Sequence, residues 1–190
     1  MKKKRTIVVA SGNAHKITEI ADILKEYDVI SMHDAGFEGD IVEDGKTFAQ
    51  NAAIKAMTVA KALNVTALAD DSGLCVDALG GAPGIYSARY SGGNDADNRA
   101  KLLRELKDVK DRRAHFECAV CLYSPEDGAI YGEGATYGSI LEEERGDRGF
   151  GYDCLFLSDD LGMSFGEATE ERKNAVSHRF RALKDLEAKL

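Results

Sequence analysis

The sequence predicts an α/β or α+β fold with a central mixed β-sheet flanked by helices. Two observations support this prediction. In residues 6–70, short β-branched runs alternate with longer segments whose apolar residues recur at helical spacing, as in parallel strands joined by helices. Residues 115–137 instead contain two β-rich runs separated by a short polar turn, which is the pattern of an antiparallel pair. A sheet that contains both kinds of pair is mixed.

The first strand is predicted at residues 6–10, where a β-branched run ends at the polar residues 11–13. A helix follows, because apolar residues recur three and four positions apart. These apolar positions are Ile17, Ile20, Ala21 and Leu24. Residues 29–30 predict a second short strand, and residues 47–63 predict a second helix whose alanine-rich face permits close packing.

The apolar run at residues 66–69 is interrupted by Asp70, Asp71, Ser72 and Gly73. We interpret this break as the end of a strand. Successive side chains of a regular strand point to opposite faces, so the two acids can serve one site only if the backbone turns, which Ser72-Gly73 allows. Together with the glycine-rich loop that follows, the pair suits a metal and a phosphate chain. The alternative is a solvated turn capped by acids.

The remaining elements complete one predicted domain over residues 1–190, without repeats or linkers. They are a helix at 98–106, two paired strands at 115–123 and 129–137 around a turn at 124–128, a loop and strand at 149–157, and a charged amphipathic helix over roughly the last twenty residues.

The composition excludes several classes of protein. Hydrophobic residues make up 44% and charged residues 31%, as in soluble globular proteins, and no apolar run approaches the roughly 20 residues of a membrane span. The first eleven residues resemble the start of a signal peptide, but polar residues end the apolar segment after a few positions. We therefore expect a cytoplasmic protein. The net charge of −8, with KKKR at residues 2–5 as the only basic run, argues against a nucleic-acid polymer as partner.

The four cysteines predict buried free thiols, which pack as small hydrophobic side chains. Cys118 and Cys121 have CxxC spacing, but they lie in a β-rich segment where positions three apart face opposite sides of a sheet. They are therefore not expected to share one metal ion.

Residues 11–16, with the sequence SGNAHK, lie between the first strand and the first helix, where free N–H groups and the helix dipole attract an anion. Lys16 strengthens this interpretation, because the dipole disfavours a cation in the first helical turn unless a phosphate binds there. Asn13 can equally be an ordinary N-cap. The loop matches neither Walker A nor GxGxxG. The candidate phosphate contacts are Ser11, Gly12, Asn13, Ala14, His15 and Lys16.

Two further charged residues precede or occupy the second helix. Glu43 could add a carboxylate to the metal site, and Lys55 is a cation on an otherwise alanine-rich helix. Each can also be ordinary surface charge.

A second glycine-rich loop combines two aromatic residues with an acid, which suits the presentation of a ring to a flat heterocycle. Its residues are Phe150, Gly151, Tyr152 and Asp153. Phe150 can also be a core residue. Near the predicted final helix, Lys173, His178 and Arg179 supply several donors, for which a solvated helix face is the alternative.

With these segments in order, the chain resembles the inosine triphosphate pyrophosphatase family, whose members hydrolyse non-standard purine nucleoside triphosphates. The resemblance runs nearly from end to end. It is carried by the motifs ASGNAHKITEI, EDGKTFAQNAAIKA, LADDSGLCVDALGGAPGIYSARYSG, GFGYD and KNAVSHR.

The resemblance implies an elongated mixed sheet with two lobes and a cleft between them, a homodimer, and Mg²⁺-dependent cleavage of ITP, dITP or XTP between the α and β phosphates. The products are the nucleoside monophosphate and pyrophosphate. By position, residues 11–16 match the phosphate loop, Glu43 and Asp71 match the metal ligands, and Asp71 also matches the catalytic base. Asp70 is a further metal candidate. The other matches are Ser72, Lys55 and Lys173 for the triphosphate, and Phe150, Gly151, Tyr152, Asp153, His178 and Arg179 for the base.

One departure from the family pattern is Cys154, which stands where the family usually has proline after GFGYD. The loss of that rigid residue could loosen the loop.

Two other functions stay open on the sequence alone: a catalytically silent nucleotide-binding sensor, and a pyrophosphatase for other modified nucleotides.

Overall fold

The computed structural model describes residues 5–190, which form a seven-stranded mixed sheet flanked by five α-helices. The elements are β1 (Arg5–Val9), α1 (Ala14–Ile23), β2 (Tyr27–Ser31), α2 (Phe48–Leu63), β3 (Ala67–Val76), α3 (Asp95–Glu105), β4 (Arg113–Ser124), β5 (Gly128–Ile140), β6 (Phe156–Ser158), β7 (Met163–Ser164), α4 (Glu170–Asn174) and α5 (His178–Glu187).

The sheet has the strand order β2-β1-β3-β4-β5-β6-β7. β1 pairs in parallel with both β2 and β3. β6 pairs antiparallel with both β5 and β7. The predicted mixed sheet is therefore confirmed.

The chain divides into two compact units. The first unit contains the described residues up to Asp71, together with Cys118–Gly134 and Arg179–Leu190. The second unit contains Ser72–Glu117 and Ala135–His178. β3, β4 and β5 contribute residues to both. The single domain over residues 1–190 and the cleft implied by the resemblance stay predictions.

Helices cover both faces of the sheet in the first unit. Ile7 and Val9 of β1 share a buried cluster with residues of α1 and α5. Val8 and Ala10 share another cluster with residues of α2. This division follows from the alternation of side chains along a strand.

The predicted second helix is confirmed as α2, and local signals set its ends. The Thr47 hydroxyl accepts a hydrogen bond from the Gln50 N–H at 3.1 Å, and Asn64 ends the helix in the left-handed conformation. The alanines at 52, 56 and 60 are fully buried, so the small side chains do permit close packing against the sheet.

The cysteine predictions are also confirmed, since all four cysteines are buried free thiols. Cys118 belongs to the cluster with α1 and α5, whereas Cys121 belongs to the cluster with α2. The CxxC spacing therefore places the two thiols on opposite faces of the sheet.

Two predicted helices have different bounds in the structure. α3 begins before residue 98, because Asn94 and Asp97 form a reciprocal capping box at its start. The predicted C-terminal helix is two helices, α4 and α5. Val176, between them, packs against the core of the second unit, whereas Leu183 of α5 lies in a core of the first.

The structure bears on two features of the composition, the apolar segments and the basic run near the N-terminus. Among residues 5–190, no helix combines the length and the apolar character needed to cross a bilayer. The basic run at residues 2–5 lies, apart from Arg5, outside the described part of the chain.

Gly132 of β5 tests the packing between the sheet and α5. A Cβ at this position would meet the Ala182 carbonyl and would lie 2.7 Å from the Leu186 backbone N. Because backbone cannot move aside cheaply, Gly132→Ala is expected to lower the free energy of unfolding by about 1–3 kcal/mol in urea denaturation. Glu133→Ala, at the next and exposed position, is the control, with a change within about 0.5 kcal/mol. Equal stabilities of the two variants would contradict the close approach.

Candidate functional site

β3 runs without a break through the two adjacent acids. The prediction that the strand ends at Asp70 is wrong, because β3 continues to Val76. The solvated turn is wrong as well, because Asp70 and Asp71 are only 1% and 8% exposed. Leu68 lies in the cluster with α1 and α5, and Ala69 lies in the cluster with α2. Side-chain alternation therefore directs Asp70 towards α1 and α5, and Asp71 towards α2.

Gly73 is needed for close packing rather than for a turn. A Cβ there would meet the Gly84 carbonyl and would lie 2.5 Å from the Ser87 hydroxyl. That hydroxyl accepts a hydrogen bond from the Leu74 N–H at 2.9 Å and donates one to the Gly84 carbonyl at 2.7 Å. The segment after β3 is thus held directly against the strand within the second unit.

Asp70 is the centre of a buried ion-pair cluster in the first unit. Its Oδ2 accepts hydrogen bonds from Arg179 Nε at 3.1 Å and Nη2 at 2.9 Å, and Lys16 Nζ lies 3.1 Å away. The Arg179 Nη1 donates to the Glu19 carboxylate. Burial raises the pKa of Asp70, but the charges of Lys16 and Arg179 lower it by more, so that the net pKa lies well below its usual range.

The contacts of the predicted phosphate loop explain why Asn13 and Lys16 occur there. The Asn13 side chain accepts from the N–H groups of His15 at 3.0 Å and Lys16 at 3.3 Å, so Asn13 is the N-cap of α1. The Ser11 hydroxyl accepts from the Asn13 N–H at 3.1 Å. The Asp70 carboxylate accounts for the cation in the first helical turn without a phosphate. The phosphate-binding role of residues 11–16 stays a prediction.

The structure brings Glu43, Lys55 and Asp71 together. Lys55 Nζ lies 2.7 Å from Glu43 Oε2 and 3.6 Å from Asp71 Oδ1. The other Asp71 oxygen, Oδ2, accepts from Asn51 Nδ2 at 3.0 Å, and Asn51 Oδ1 accepts from the Gly45 N–H at 2.9 Å. Both carboxylates thus share one ammonium group, and one amide links the loop before α2 to Asp71.

Burial and neighbouring charges shift the pKa values of Asp71 and Lys55 in opposite directions. Burial raises the pKa of Asp71 and outweighs the opposing effects of Lys55 and Asn51. Burial lowers the pKa of Lys55, but the carboxylates of Asp70, Asp71 and Glu43 raise it by more. Asp71 is therefore a stronger base than an exposed aspartate, beside a lysine that keeps its charge.

In the second unit, the buried Asp153 and Lys173 lie together with the half-buried Phe150. Asp153 Oδ2 accepts from Lys173 Nζ at 2.7 Å and from the Phe150 N–H at 3.0 Å. Lys173 Nζ also lies 4.9 Å from the centroid of the Phe150 ring. Gly149 is required here, because it has φ of +73° and a Cβ would meet the Asp153 carboxylate. These contacts hold the loop that precedes Cys154.

The remaining predicted residues have separate partners. The Tyr152 ring is buried and its hydroxyl donates to the Ser87 carbonyl at 2.7 Å, while the Gly151 N–H donates to the Asp95 carboxylate at 3.1 Å. The His178 ring stacks on Phe116 with centroids 4.9 Å apart. Ser72 continues β3 and is half-buried. His178 and Arg179 are consecutive, yet they belong to different units.

Sequence reasoning missed two residues of these clusters. Asn51 lies four positions before Lys55 on the buried, alanine-rich face of α2, where a lone amide is unusual. Glu19 lies three positions after Lys16 in α1 and is buried. A polar residue at a helix position that packing buries is the signal that identifies both.

The comparisons with known proteins cover both units. Residues 7–189 match the model of the Ham1 family. The chain is 48% identical over 198 residues to a dITP/XTP pyrophosphatase of Clostridium perfringens, with 98% of this chain and 97% of the relative covered. It is 47% identical over 195 residues to a dITP/XTP pyrophosphatase of Haemophilus influenzae, with 98% and 100% covered. The Staphylococcus aureus Ham1 protein superposes with a TM-score of 0.87 at 41% identity, covering 97% of each chain.

Asn51→Ala tests the amide link to Asp71. The substitution leaves the Gly45 N–H and Asp71 Oδ2 without the Asn51 amide, and we expect the free energy of unfolding to fall by about 1–3 kcal/mol in urea denaturation. The control is Gln50→Ala, an adjacent exposed amide, with an expected loss below about 1 kcal/mol. A loss in Asn51→Ala no larger than that of the control would count against the link.

Proposed function

This chain belongs to the Ham1 family, and we propose on that basis that it hydrolyses non-standard purine nucleoside triphosphates such as dITP and XTP. The products are the nucleoside monophosphate and pyrophosphate. The observation that carries this function is the near-complete, 48% identical match to a dITP/XTP pyrophosphatase, over 98% of this chain. The cluster of Glu43, Lys55 and Asp71 supplies the chemistry in the first unit.

The donor set of this cluster fits Mg²⁺, a hard cation that prefers carboxylate oxygens. Glu43 and Asp71 both approach one ammonium group, so their oxygens already converge on a positive charge. We assign these two residues as the metal ligands, with Asp70 as a further candidate. When bound, Mg²⁺ supplies electrostatic stabilisation of the charge that develops on the phosphate oxygens.

Asp71 acts as the base in this mechanism. The hydrogen bond from Asn51 Nδ2 fixes the orientation of the carboxylate, which accepts a proton from the attacking water. The water oxygen forms a bond to the α phosphorus as the bond from that phosphorus to the bridging oxygen breaks. Pyrophosphate leaves with the electron pair, and the water proton passes to Asp71.

Lysines balance the charge of the triphosphate. Lys55 in α2 and Lys16 at the start of α1 provide two cations in the first unit, and each is held by carboxylates rather than by solvent. Such held cations lose little freedom when they bind phosphate. Ser11, Gly12, Asn13, Ala14 and His15 complete the proposed phosphate loop, and Ser72 and Lys173 are further proposed triphosphate contacts.

Recognition of the base is assigned to Phe150, Gly151, Tyr152, Asp153, His178 and Arg179. Phe150 is half-buried and can offer its ring to a heterocycle, whereas Tyr152 supports the loop through its buried hydroxyl. Hypoxanthine and xanthine carry a carbonyl oxygen where adenine carries an amino group, so N–H donors aimed there favour the keto bases.

The proposal also includes a homodimer and a cytoplasmic location. Light scattering tests the homodimer.

Glu43 and its neighbour Asp44 provide a matched pair for the metal assignment. Glu43→Gln is expected to raise the Mg²⁺ concentration for half-maximal pyrophosphate release from dITP by about 10–100-fold, because one ligand charge is lost. Asp44→Asn removes an exposed acid at the next position and is expected to leave this value unchanged.

Asp71→Asn is expected to lower kcat by about 10²–10⁴-fold. Full activity of Asp71→Asn, with its fold verified by circular dichroism, would remove the proposed base.

A substrate panel tests the selectivity. We expect kcat/KM for XTP and dITP to exceed that for ATP by about 10⁴-fold, because adenine leaves the donors for the keto oxygen unpaired. The panel compares ITP, dITP, XTP, ATP, GTP and dUTP, with chromatographic identification of the products. Comparable ATP hydrolysis, or release of single phosphates, would overturn the assignment. Nucleotide binding without any turnover would instead identify a sensor.

A further inference from the structure

Three different metal-binding side chains converge in the second unit, apart from the cluster proposed for catalysis. They are Cys75 on β3, and His115 and Glu117 on β4. One ligand atom from each lies within 4.8 Å of the other two. The His115 Nε2 and Glu117 Oε2 atoms are 3.8 Å apart.

The sheet itself brings these residues together. β3 and β4 are neighbours in the sheet, and His115 and Glu117 are two positions apart, so they share one face of β4. Ala114 and Phe116 point into the core and are buried, whereas the side chains of His115 and Glu117 are 27% and 46% exposed. The group is therefore built on rigid strands and is open to solvent for the entry of an ion.

Neighbouring contacts fix two of the three ligands. The His115 ring lies against Tyr137, with centroids 5.5 Å apart and planes tilted by 34°. Cys75 is held by β3 and by a backbone bridge to Pro83. Rigid placement lowers the entropy lost when an ion is bound.

The donor set favours a transition metal over Mg²⁺. Thiolate, imidazole and carboxylate together suit Zn²⁺ or Co²⁺, because sulfur and nitrogen donors bind softer cations. Tetrahedral zinc with bonds of about 2.0–2.3 Å places neighbouring ligand atoms about 3.4–3.6 Å apart, close to the distance between His115 and Glu117. Water can fill the fourth position.

The local charges also suit a divalent cation. Burial raises the pKa of the Cys75 thiol to about 11, so a bound ion must displace its proton; the ligands then carry two negative charges, which one divalent ion neutralises. Arg113, two positions before His115 on β4, lies 2.8 Å from Asp111 and 3.8 Å from Asp77, so two carboxylates already oppose this nearby cation.

We propose that Cys75, His115 and Glu117 form a binding site for a zinc-class divalent transition metal, which ties β3 to β4 in the second unit. The site does not depend on the proposed hydrolysis. Its ligands lie in the second unit, whereas Glu43 and Asp71 lie in the first. The expected effect of the metal is stabilisation of the fold.

Cobalt titration of the metal-stripped full chain tests this site, because Co²⁺ bound to a thiolate gives a charge-transfer absorption in the near ultraviolet. We expect one equivalent of Co²⁺ to produce this absorption, Zn²⁺ to displace it, and Zn²⁺ to raise the melting temperature. Cys75→Ser should abolish the absorption. Asp71→Asn, which alters the proposed catalytic cluster only, should keep it.

The two ligands on β4 are partly exposed, and they keep the test informative if Cys75→Ser does not fold. His115→Gln and Glu117→Gln are each expected to weaken Co²⁺ binding by at least about 10-fold, since each removes one of three ligands. Glu126→Gln, an exposed acid in the turn between β4 and β5, is the control with unchanged affinity. Absence of thiolate absorption in the unaltered chain, or equal affinity in His115→Gln, Glu117→Gln and the control, would overturn the proposal.

Discussion

The unbroken course of β3 is the constraint on which the candidate site depends. Because side chains alternate along a strand, two consecutive acids cannot face the same helix. Asp70 therefore meets Lys16 and Arg179 from α1 and α5, and Asp71 meets Lys55 from α2. One dipeptide thus joins the helices on both faces of the sheet in the first unit to a single strand.

Burial makes these contacts obligatory. An unpaired carboxylate in a protein interior would lose several kcal/mol of solvation, so each acid needs a cation or a donor close by. The same burial has opposite results at the two positions: two cations hold the pKa of Asp70 well below its usual range, whereas the pKa of Asp71 is raised. Asp70 thereby keeps its negative charge beside Lys16 and Arg179.

Local patterns predicted most of the fold and only part of the site. α2, the mixed sheet and the opposite orientation of Cys118 and Cys121 follow from spacing and capping, which are local. The end of the strand at Asp70 was wrong because the residue that makes burial tolerable, Arg179, lies 109 positions away in the sequence. Asn51 was missed for a related reason: its place on the buried face of α2 indicates a polar contact, but its partner Asp71 is 20 positions away in the sequence.

The cluster around Asp70 and the cluster of Glu43, Lys55 and Asp71 differ in how many cations oppose their carboxylates, and therefore in how well they suit a metal ion. Among the ion pairs of the described residues, Asp70 and Glu19 in the first cluster pair with two cations, Lys16 and Arg179. In the second cluster, Glu43 and Asp71 share one cation, Lys55. A divalent ion gains more from a cluster with excess carboxylate charge than from a neutral one. Electrostatics therefore favours Glu43 and Asp71 over Asp70 as the proposed magnesium ligands, and gives Asp70 the task of holding Lys16 at the start of α1.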